Sequence, residues 1–283
     1  MLAGIRAFFV ERDVLEVDTP YLSSAATCDT ALRSLATRWH GGETPRELYL
    51  HTSPEYPMKR LLAAGSGSIY QLCRVFRDDE RGRWHHPEFT MLEWYRVGFD
   101  HHRLMDEVEA LVRAVVANAP SRAAERIGYR EAFVRHAGVD PFDSDLATLR
   151  ACAAELAPGL DGEAGDRDFW LQVILVHAVE PRLGDGRLTF LHDFPASQAA
   201  LARVRDGEPP LAERFELYWQ GVELANGFHE LTDVDEQRRR FDAELAARRE
   251  HGQEIVPGDE RFLAAPRRES PIAPAWRSAS TAC

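Results

Sequence analysis

The sequence predicts an α+β fold in which helices flank an antiparallel sheet, over roughly residues 1–262. Extended segments on both sides of a charged loop within 76–95 predict one part of the sheet, and alternation around 215–222 predicts another. A long apolar stripe at 103–117 predicts a helix that packs on the rest. Together these patterns indicate a single folded body.

The first half of the chain supplies a helix, short strands and the long amphipathic helix. We expect a helix at 2–12, then an extended run, VLEVDTPYLSS, that ends at Pro20. Segments 47–51 and 69–77 are predicted strands. The helix at 103–117 has its apolar residues on one stripe: Leu104, Val108, Leu111, Val112, Val115 and Val116.

The second half predicts further helices at 145–156 and 168–180, separated by turns that contain Pro and Gly. A strand and a Pro-Ala-Ser-Gln turn are expected within 188–202. Phe215, Leu217 and Trp219 then alternate as a strand, and Gln220 with Gly221 predicts a tight turn into the next strand.

Composition excludes several classes of protein. The chain has 283 residues, of which 45% are hydrophobic, and a net charge of −12, which disfavours a broad nucleic-acid surface. The arginines at 238–240 and 248–249 are interpreted as a solvated helix face. No segment is apolar enough to cross a membrane or to serve as a secretory signal, so a cytoplasmic protein is expected. The four cysteines form no close pairs.

The stretch FRDDERGRWHHPEFTMLEWY, residues 76–95, is the most informative. Strand parity puts Phe89, Met91, Glu93 and Tyr95 on one face, which mixes stacking and polar groups. Arg77 enters the loop, and its planar fork suits carboxylate and phosphate oxygens. A nucleotide and an amine could therefore be bound together, provided that Arg77 and Phe89 lie together and the ring stays outside the apolar interior.

This run resembles motif 2 of the class II aminoacyl-tRNA synthetases, in the form found in lysyl-tRNA synthetase and its shorter paralogues, the elongation factor P lysine ligases. The resemblance implies that Arg77 is the catalytic residue, holding the ATP α-phosphate and the substrate carboxylate, and that Phe89 stacks on adenine. It assigns Asp79 and His86 to ATP, in place of the family's glutamate and asparagine. Glu93 and Tyr95 would line the pocket for the substrate amines.

Two further segments resemble the same family. TSPEYPMKR at 52–60 resembles its substrate-binding loop and assigns Ser53 and Glu55 to the substrate's amino group. The alternative for Ser-Pro-Glu is an ordinary helix start capped by Ser53. The run VLEVDTPYLSS resembles motif 1, through which class II enzymes dimerise, and so implies a homodimer.

The run ELANGFHEL at 223–231 resembles the segment between motifs 2 and 3. The resemblance assigns Glu223 to ATP through Mg²⁺, with Leu224 beside it, and Asn226 and Glu230 to the substrate. Asn226 and Glu230 share strand parity, whereas Glu223 has the opposite parity. We therefore expect a bulge, most naturally at Gly227.

The function that the resemblance implies is ATP-dependent adenylation of (R)-β-lysine or lysine and its transfer to a lysine side chain of elongation factor P. ATP and Mg²⁺ would be required. The substrate carboxylate and the α-phosphate are both anions, so the site must chiefly supply positive charge and alignment. A tRNA substrate is not expected, because no anticodon-binding domain precedes the first synthetase element.

The resemblance stops near residue 262. Class II enzymes carry motif 3, typically G-x-G-x-D-R, and this sequence contains no such run. Residues 263–283 are rich in Pro, Ser and Arg and are expected to form neither strand nor helix. An aberrant, disordered tail is therefore expected, whether from readthrough in a shifted frame or from a degraded terminus. Loss of the motif 3 arginine would weaken catalysis.

Alternative functions therefore stay open. One is an inactive relative that keeps the substrate pocket as a binding module, and another is tRNA aminoacylation of the lysyl-tRNA synthetase type. A metallohydrolase built on His85, His86 and Glu88 with His101 and His102 is disfavoured, because adjacent histidines on a strand point to opposite faces.

Overall fold

The structure is a computed structural model that describes residues 1–78, 80, 82, 85–160, 165–265 and 275–280, the last of these as backbone. The chain divides into two compact units. The first unit contains Met1–Phe8 and Phe99–Glu230. The second contains Phe9–Gly98 and the described residues from Leu231 onward.

The helices begin at positions where the sequence supplies a cap or a favourable first turn. Asp100, Asp145, Asp166, Asp233 and Asp259 each accept a hydrogen bond from a backbone N–H in the first turn of the helix that follows. The helices are α1 (Leu2–Val10), α2 (Glu55–Ala63), α3 (His101–Val115), α4 (Tyr129–Ala137), α5 (Leu146–Leu156), α6 (Arg167–Ile174), α7 (Val234–Glu250) and α8 (Glu260–Leu263).

The strands form the sheets that carry most of the predicted site residues. They are β1 (Leu15–Glu16), β2 (Leu22–Ser23), β3 (Ala36–Trp39), β4 (Arg46–Leu50), β5 (Ile69–Phe76), β6 (Glu88–Tyr95), β7 (Glu125–Gly128), β8 (Thr189–Pro195), β9 (Val204–Arg205), β10 (Leu211–Trp219), β11 (Val222–Phe228) and β12 (Ala275–Ser280).

In the second unit the hairpin of β5 and β6 is the central feature. β5 pairs in parallel with β1 and antiparallel with β6, and the other edge of β6 pairs antiparallel with β12. β4 lies between β2 and β3 in a separate small sheet. Both faces of the hairpin are covered, so side chains of either parity on β6 are buried.

In the first unit β10 pairs antiparallel with β11, β8 and β9, and β7 adds in parallel to β8. The main core includes Trp170, Tyr129, Phe133 and Phe194, contributed by helices α4 and α6 and by β8. On α3, Leu104, Val108, Leu111 and Val112 are buried, as the apolar stripe predicted.

The α+β fold class predicted from the sequence is confirmed, and so is the tight turn at Gln220 and Gly221. Both turn residues have positive φ, 54° and 72°, the conformation of a two-residue hairpin turn. None of the described helices is both long enough and apolar enough to cross a membrane.

The expectations for the C-terminal segment and for the basic helix face are wrong. Residues 275–280 form a strand, β12, although the whole tail was expected to form neither strand nor helix. The segment has no Pro or Gly, and pairing with β6 gives hydrogen-bond partners to backbone groups that an open sheet edge leaves unpaired. Arg248 is buried, with 4% of its surface exposed, and does not belong to a solvated face.

Candidate active site

Arg77 and Phe89 lie together, as the sequence predicted. The Arg77 backbone N–H donates to the Pro87 carbonyl at 2.9 Å, just beyond the paired strands β5 and β6. The guanidinium carbon of Arg77 is 5.2 Å from the centre of the Phe89 ring, within the range of a cation–π contact. Asp79, in the same loop, lies outside the described residues.

The Phe89 ring is more buried than expected. Only 8% of the residue is exposed, and it packs with Cys73, Val75 and Met91. The reason is the cross-strand register, in which Val75 faces Phe89 and Cys73 faces Met91, so an apolar surface forms on that face of the hairpin. The expectation that the ring stays outside the apolar interior is therefore wrong, although the ring packs in this small cluster and not in the main core. Stacking of adenine on this ring stays a prediction.

The guanidinium of Arg77 is held from two sides. Its Nη1 lies 3.5 Å from Oε1 of Glu80, and its Nε donates a long 3.5 Å hydrogen bond to the Thr52 carbonyl. The side chain is 16% exposed. Arg77 therefore lies beside the start of the predicted substrate loop, with its position set by a carboxylate and a backbone carbonyl.

Ser53, Glu93 and Tyr95 form one hydrogen-bonded group. Ser53 Oγ donates to Oε2 of Glu93 at 2.7 Å, and the Tyr95 hydroxyl donates to Oε1 at 2.6 Å. Glu93 is fully buried, and across the hairpin it faces Gln71. Each carboxylate oxygen thus has a hydroxyl donor, which fixes the orientation of the group.

Glu55 is the first residue of α2, and the helix starts one position later than the Ser53 cap predicted, with Pro54 as the N-cap residue. The Ser53 hydroxyl accepts a hydrogen bond from the Glu55 N–H at 3.0 Å, where α2 begins. The Glu55 carboxylate accepts a 2.6 Å hydrogen bond from Nζ of Lys59. The Glu55 side chain is 6% exposed and that of Lys59 is 5% exposed. A primary ammonium of the protein thus occupies the position beside Glu55 that we expected a substrate amine to take.

His86 is exposed, and its role stays a prediction. Its Nδ1 lies 2.8 Å from the carbonyl oxygen of Glu88 and 3.1 Å from the backbone nitrogen of the same residue. The ring is therefore folded back on the first residue of β6.

On β11 the predicted bulge exists, but at Leu224 and not at Gly227. Asn226 faces Glu216 on β10 and Glu223 faces Tyr218, which leaves Leu224 as the extra residue. The tight turn fixes the pairing of Trp219 with Val222, so the insertion must fall between that turn and Asn226. Gly227 pairs regularly with Phe215.

The bulge gives Glu223 and Asn226 the same parity, because their partners Tyr218 and Glu216 are two residues apart on one strand. The Asn226 side chain lies close enough to Glu223 to oppose the rise in the pKa of that carboxyl. Among the described residues, Oδ1 of Asn226 is buried without a hydrogen-bond partner. This oxygen can therefore accept a hydrogen bond from a bound donor such as an ammonium group.

The surroundings of the Glu223 carboxyl raise its pKa. The largest cause is burial among protein atoms, and the negative charges of Glu216 and Glu180 add to it, although Arg214 and Asn226 oppose the shift. The Glu223 side chain nevertheless belongs to an exposed residue, so a ligand from solvent can reach it. The adjacent carboxylates of Glu223, Glu216 and Glu180 offer oxygen atoms, which are the ligands that a hard cation prefers.

Glu216 is a candidate that sequence reasoning missed. It pairs with Arg214, and the Tyr218 hydroxyl donates to its Oε2 at 2.6 Å. Glu216 could be identified only from its position on β10 opposite Asn226, and that position depends on the register of the two strands.

The remaining member of this segment, Glu230, is 1% exposed and forms an isolated bridge with Ala202. The structure thus brings together Arg77 with Phe89, and Ser53 with Glu55, Glu93 and Tyr95, in the second unit. In the first unit it brings together Glu223, Leu224 and Asn226, and Glu230 follows β11.

Comparison with known proteins agrees with the resemblance. The family model for class II tRNA synthetases (D, K and N) matches residues 1–271. The elongation factor P–(R)-β-lysine ligase of Edwardsiella ictaluri is 51% identical over 94% of this chain and 82% of its own length. The ligases of Pectobacterium atrosepticum and Vibrio cholerae are 48% and 49% identical over the same shares. The chain belongs to the class II tRNA synthetase family of the D, K and N type.

Proposed function

We propose that this protein joins (R)-β-lysine to a lysine side chain of elongation factor P at the expense of ATP. The relatives at about half identity carry that activity in their names. The observation that carries the proposal is the fully buried carboxylate of Glu93, oriented by Ser53 and Tyr95. Such a group suits a cationic substrate, because a bound ammonium group offsets the free energy lost when a carboxylate is removed from water.

The first step brings two anions together. An oxygen of the substrate carboxylate attacks the α-phosphorus of ATP, the bond to the bridging oxygen breaks, and pyrophosphate leaves. Arg77 supplies positive charge to both reacting groups, in a geometry that its contacts with Glu80 and Thr52 hold in advance. No protein nucleophile is needed for this step.

In the second step the neutral amine of the acceptor lysine attacks the carbonyl carbon of the adenylate. The carbon–oxygen bond to AMP breaks, AMP leaves with the electron pair, and the amine loses a proton. The product is an amide. The same site could adenylate lysine, since lysine and β-lysine both offer a carboxylate and two ammonium groups.

The carboxylates on β10 and β11 fit a hard divalent cation. Glu223 and Glu216 are oxygen donors on neighbouring strands, and the negative charge of Glu216 adds to the rise in the pKa of Glu223. A bound Mg²⁺ would supply charge neutralisation for the triphosphate. Leu224 beside it, and Asp79, His86 and Phe89 of the hairpin, are the proposed contacts of ATP.

The amines of the substrate have several proposed acceptors. Glu93 and Glu55 are buried carboxylates, and Glu55 already holds the ammonium of Lys59. Asn226 offers a buried amide oxygen without a partner in the described residues, and Glu230 is a buried carboxylate. We assign these residues to the substrate rather than to ATP because each of them offers an oxygen that can accept a hydrogen bond from an ammonium group.

Pyrophosphate exchange tests the activation step. We expect exchange that depends on (R)-β-lysine, and a loss of about 100- to 1,000-fold in Arg77→Met, the usual effect of removing one preorganised charge contact. Arg74→Met is the matched control, since Arg74 lies three positions earlier and is exposed. Exchange that is equal in the two variants would contradict the role of Arg77.

The alternative of a binding module that holds the amino acid without activating it is not favoured, because the relatives at about half identity are named as ligases. Calorimetric binding of β-lysine without any exchange would support this alternative. Exchange at a measurable rate would reject it.

The acceptor and the assembly need separate measurements. We propose elongation factor P as acceptor and a homodimer as the working state. Transfer of labelled β-lysine is followed with elongation factor P in one arm and with lysine tRNA in the other, and label on tRNA alone would favour aminoacylation instead. Sedimentation velocity then reports the mass of the particle.

A further inference from the structure

A cluster of three side chains in the first unit has no role in the ligase reaction proposed above. His101, Glu213 and His229 each present one potential ligand atom, and these atoms all lie within 4.8 Å of one another. The disfavoured sequence hypothesis grouped His101 with His102 and the histidines of the hairpin loop. The structure instead joins it to a carboxylate and a histidine more than a hundred positions later.

The backbone fixes two members of the cluster to each other. Glu213 lies at an irregularity of β10, between residues Ala212 and Phe215 where the register with β8 shifts. The His229 N–H donates to the Glu213 carbonyl at 2.8 Å, and Nδ1 of His229 lies 2.5 Å from Oε2 of Glu213. The bulge therefore turns the Glu213 carboxylate toward the residue that follows β11.

His101 approaches from the other side, as the first residue of α3 after the capping residue Asp100. Its side chain is 3% exposed, and among the described residues neither ring nitrogen has a hydrogen-bond partner. The Asp193 Oδ1 atom is 3.8 Å from Nε2, beyond hydrogen-bond range. A buried imidazole in this state needs an explanation, because buried polar groups are nearly always paired.

A metal ion supplies that explanation. Two imidazoles and one carboxylate form a donor set that Zn²⁺ uses in proteins, with the fourth tetrahedral position left to water. Bonds of about 2.0–2.2 Å separate the donors of a tetrahedron by roughly 3.4 Å. Side-chain movements on the order of 1 Å would therefore bring the three ligand atoms to the separations of a tetrahedral site.

The surrounding charges are compatible with a cation. Arg203 lies with its Nε 4.0 Å from Oε2 of Glu213, but its side chain is 60% exposed and can turn into solvent. Asp193 lies close to His101, in the place where a carboxylate commonly supports a metal-bound imidazole. The carboxylate of Asp100 interacts electrostatically with His101 and His229 and would offset part of the added charge, whereas Asp193 also pairs with His192 and Arg205.

We propose that His101, Glu213 and His229 bind a divalent transition-metal ion of the Zn²⁺ class, with water as the fourth ligand. The site differs in chemistry from the all-oxygen set of Glu216 and Glu223, which suits Mg²⁺. Binding would tie the start of α3 to the end of β11, one residue before Glu230. The competing account is a pair of ordinary ion contacts, His229 with Glu213 and His101 with Asp193.

Metal titration of the full chain tests the proposal. Protein stripped with a chelator is titrated with Co²⁺, and we expect one equivalent with the visible absorption of four-coordinate Co²⁺, displaced by Zn²⁺. His229→Gln and Glu213→Gln should each weaken binding by at least about 10- to 100-fold, the range seen even for residues behind the ligands. Asp193→Asn should weaken binding within that range.

Two controls make the result specific. His177→Gln alters an exposed histidine of the same unit, and Glu223→Gln alters the proposed Mg²⁺ ligand, so both should keep Co²⁺ binding unchanged. Because His229 is 25% exposed, its replacement should fold even if that of buried His101 does not. The absence of one-equivalent binding, or equal affinity in His229→Gln and wild type, would overturn the site. Neither readout depends on ligase activity.

Discussion

The hydroxyl of Ser53 donates a 2.7 Å hydrogen bond to Oε2 of Glu93, forty positions later in the chain. The same hydroxyl accepts from the Glu55 N–H at the start of α2. One small side chain thus orients a buried carboxylate and helps to begin a helix. Ser-Pro-Glu is therefore both a helix start and part of the candidate site, although the two readings were alternatives in the sequence.

Replacing Ser53 should affect stability and binding together. In Ser53→Ala, Oε2 of Glu93 loses its donor, and we expect a loss of about 1–3 kcal/mol in the free energy of unfolding, since a buried acceptor is left without it. Binding of β-lysine should weaken as well. Urea denaturation and calorimetric titration measure the two effects. Ser66→Ala, whose hydroxyl bonds the adjacent Gly67 carbonyl, is the control, and equal behaviour of the two variants would refute the prediction.

The buried pair of Glu55 and Lys59 should be costly to break from one side. Lys59→Met leaves a carboxylate that is 6% exposed without this ammonium, and we expect a loss of about 3–5 kcal/mol. Adding Glu55→Gln should recover part of that loss, because the uncompensated charge is removed. Thermal and urea unfolding measure both.

An exposed pair at similar spacing provides the comparison. Arg239 and Glu236 lie three positions apart on α7, with 66% and 34% of their side chains exposed. Arg239→Met should cost less than about 1 kcal/mol, since water screens such pairs. If it cost as much as Lys59→Met, burial would not be the reason for the larger effect.

The raised pKa of Glu223 predicts a pH dependence of stability. A carboxyl whose pKa is higher in the folded than in the unfolded state holds more protons when folded, so stability should fall as pH rises from near its ordinary value through the raised one. Burial and the charges of Glu216 and Glu180 are the causes. In Glu223→Gln this slope should flatten between about pH 5 and 8.

Urea unfolding across that range, without divalent cations, is the measurement. Glu131→Gln, at an exposed position of the same unit, should leave the slope unchanged. Addition of Mg²⁺ to the wild type should raise stability at high pH, as expected for an ion that binds the folded state. A slope that persists in Glu223→Gln would mean that other groups cause it.

How far the sequence could predict the site depended on how local the signal was. Strand parity predicted that Phe89, Glu93 and Tyr95 lie on the same face of β6. Residue type predicted the tight turn at Gln220 and Gly221. The bulge did not, because Gly227 was the more permissive residue while the register set by the turn decided in favour of Leu224. A bulge depends on the partner strand, and periodicity along one strand carries no information about it.

Burial showed the same limit. Phe89 was expected to stay outside the apolar interior, yet the residues opposite it on β5 are apolar and cover it. The cluster of His101, Glu213 and His229 joins three elements far apart in sequence, so no spacing pattern could reveal it. Contacts across elements, rather than the residues of one element, were the missing information.

Arg248 is buried, although the charge pattern of the sequence predicted an exposed position, and its replacement tests this difference. Its guanidinium donates to four backbone carbonyls, those of Cys28, Asp29, Leu32 and Glu254. Arg248→Met removes these donors, and we expect a loss of about 2–4 kcal/mol. The buried bond to the Cys28 carbonyl should account for about 1–3 kcal/mol, and the three partly buried carbonyls should cost less each because water can reach them. Arg249→Met, at the neighbouring exposed position, should change the free energy of unfolding by less than about 0.5 kcal/mol. Equal losses in the two variants, measured by urea unfolding, would restore the solvated-face interpretation, because only a buried guanidinium can make neighbouring arginines differ so much.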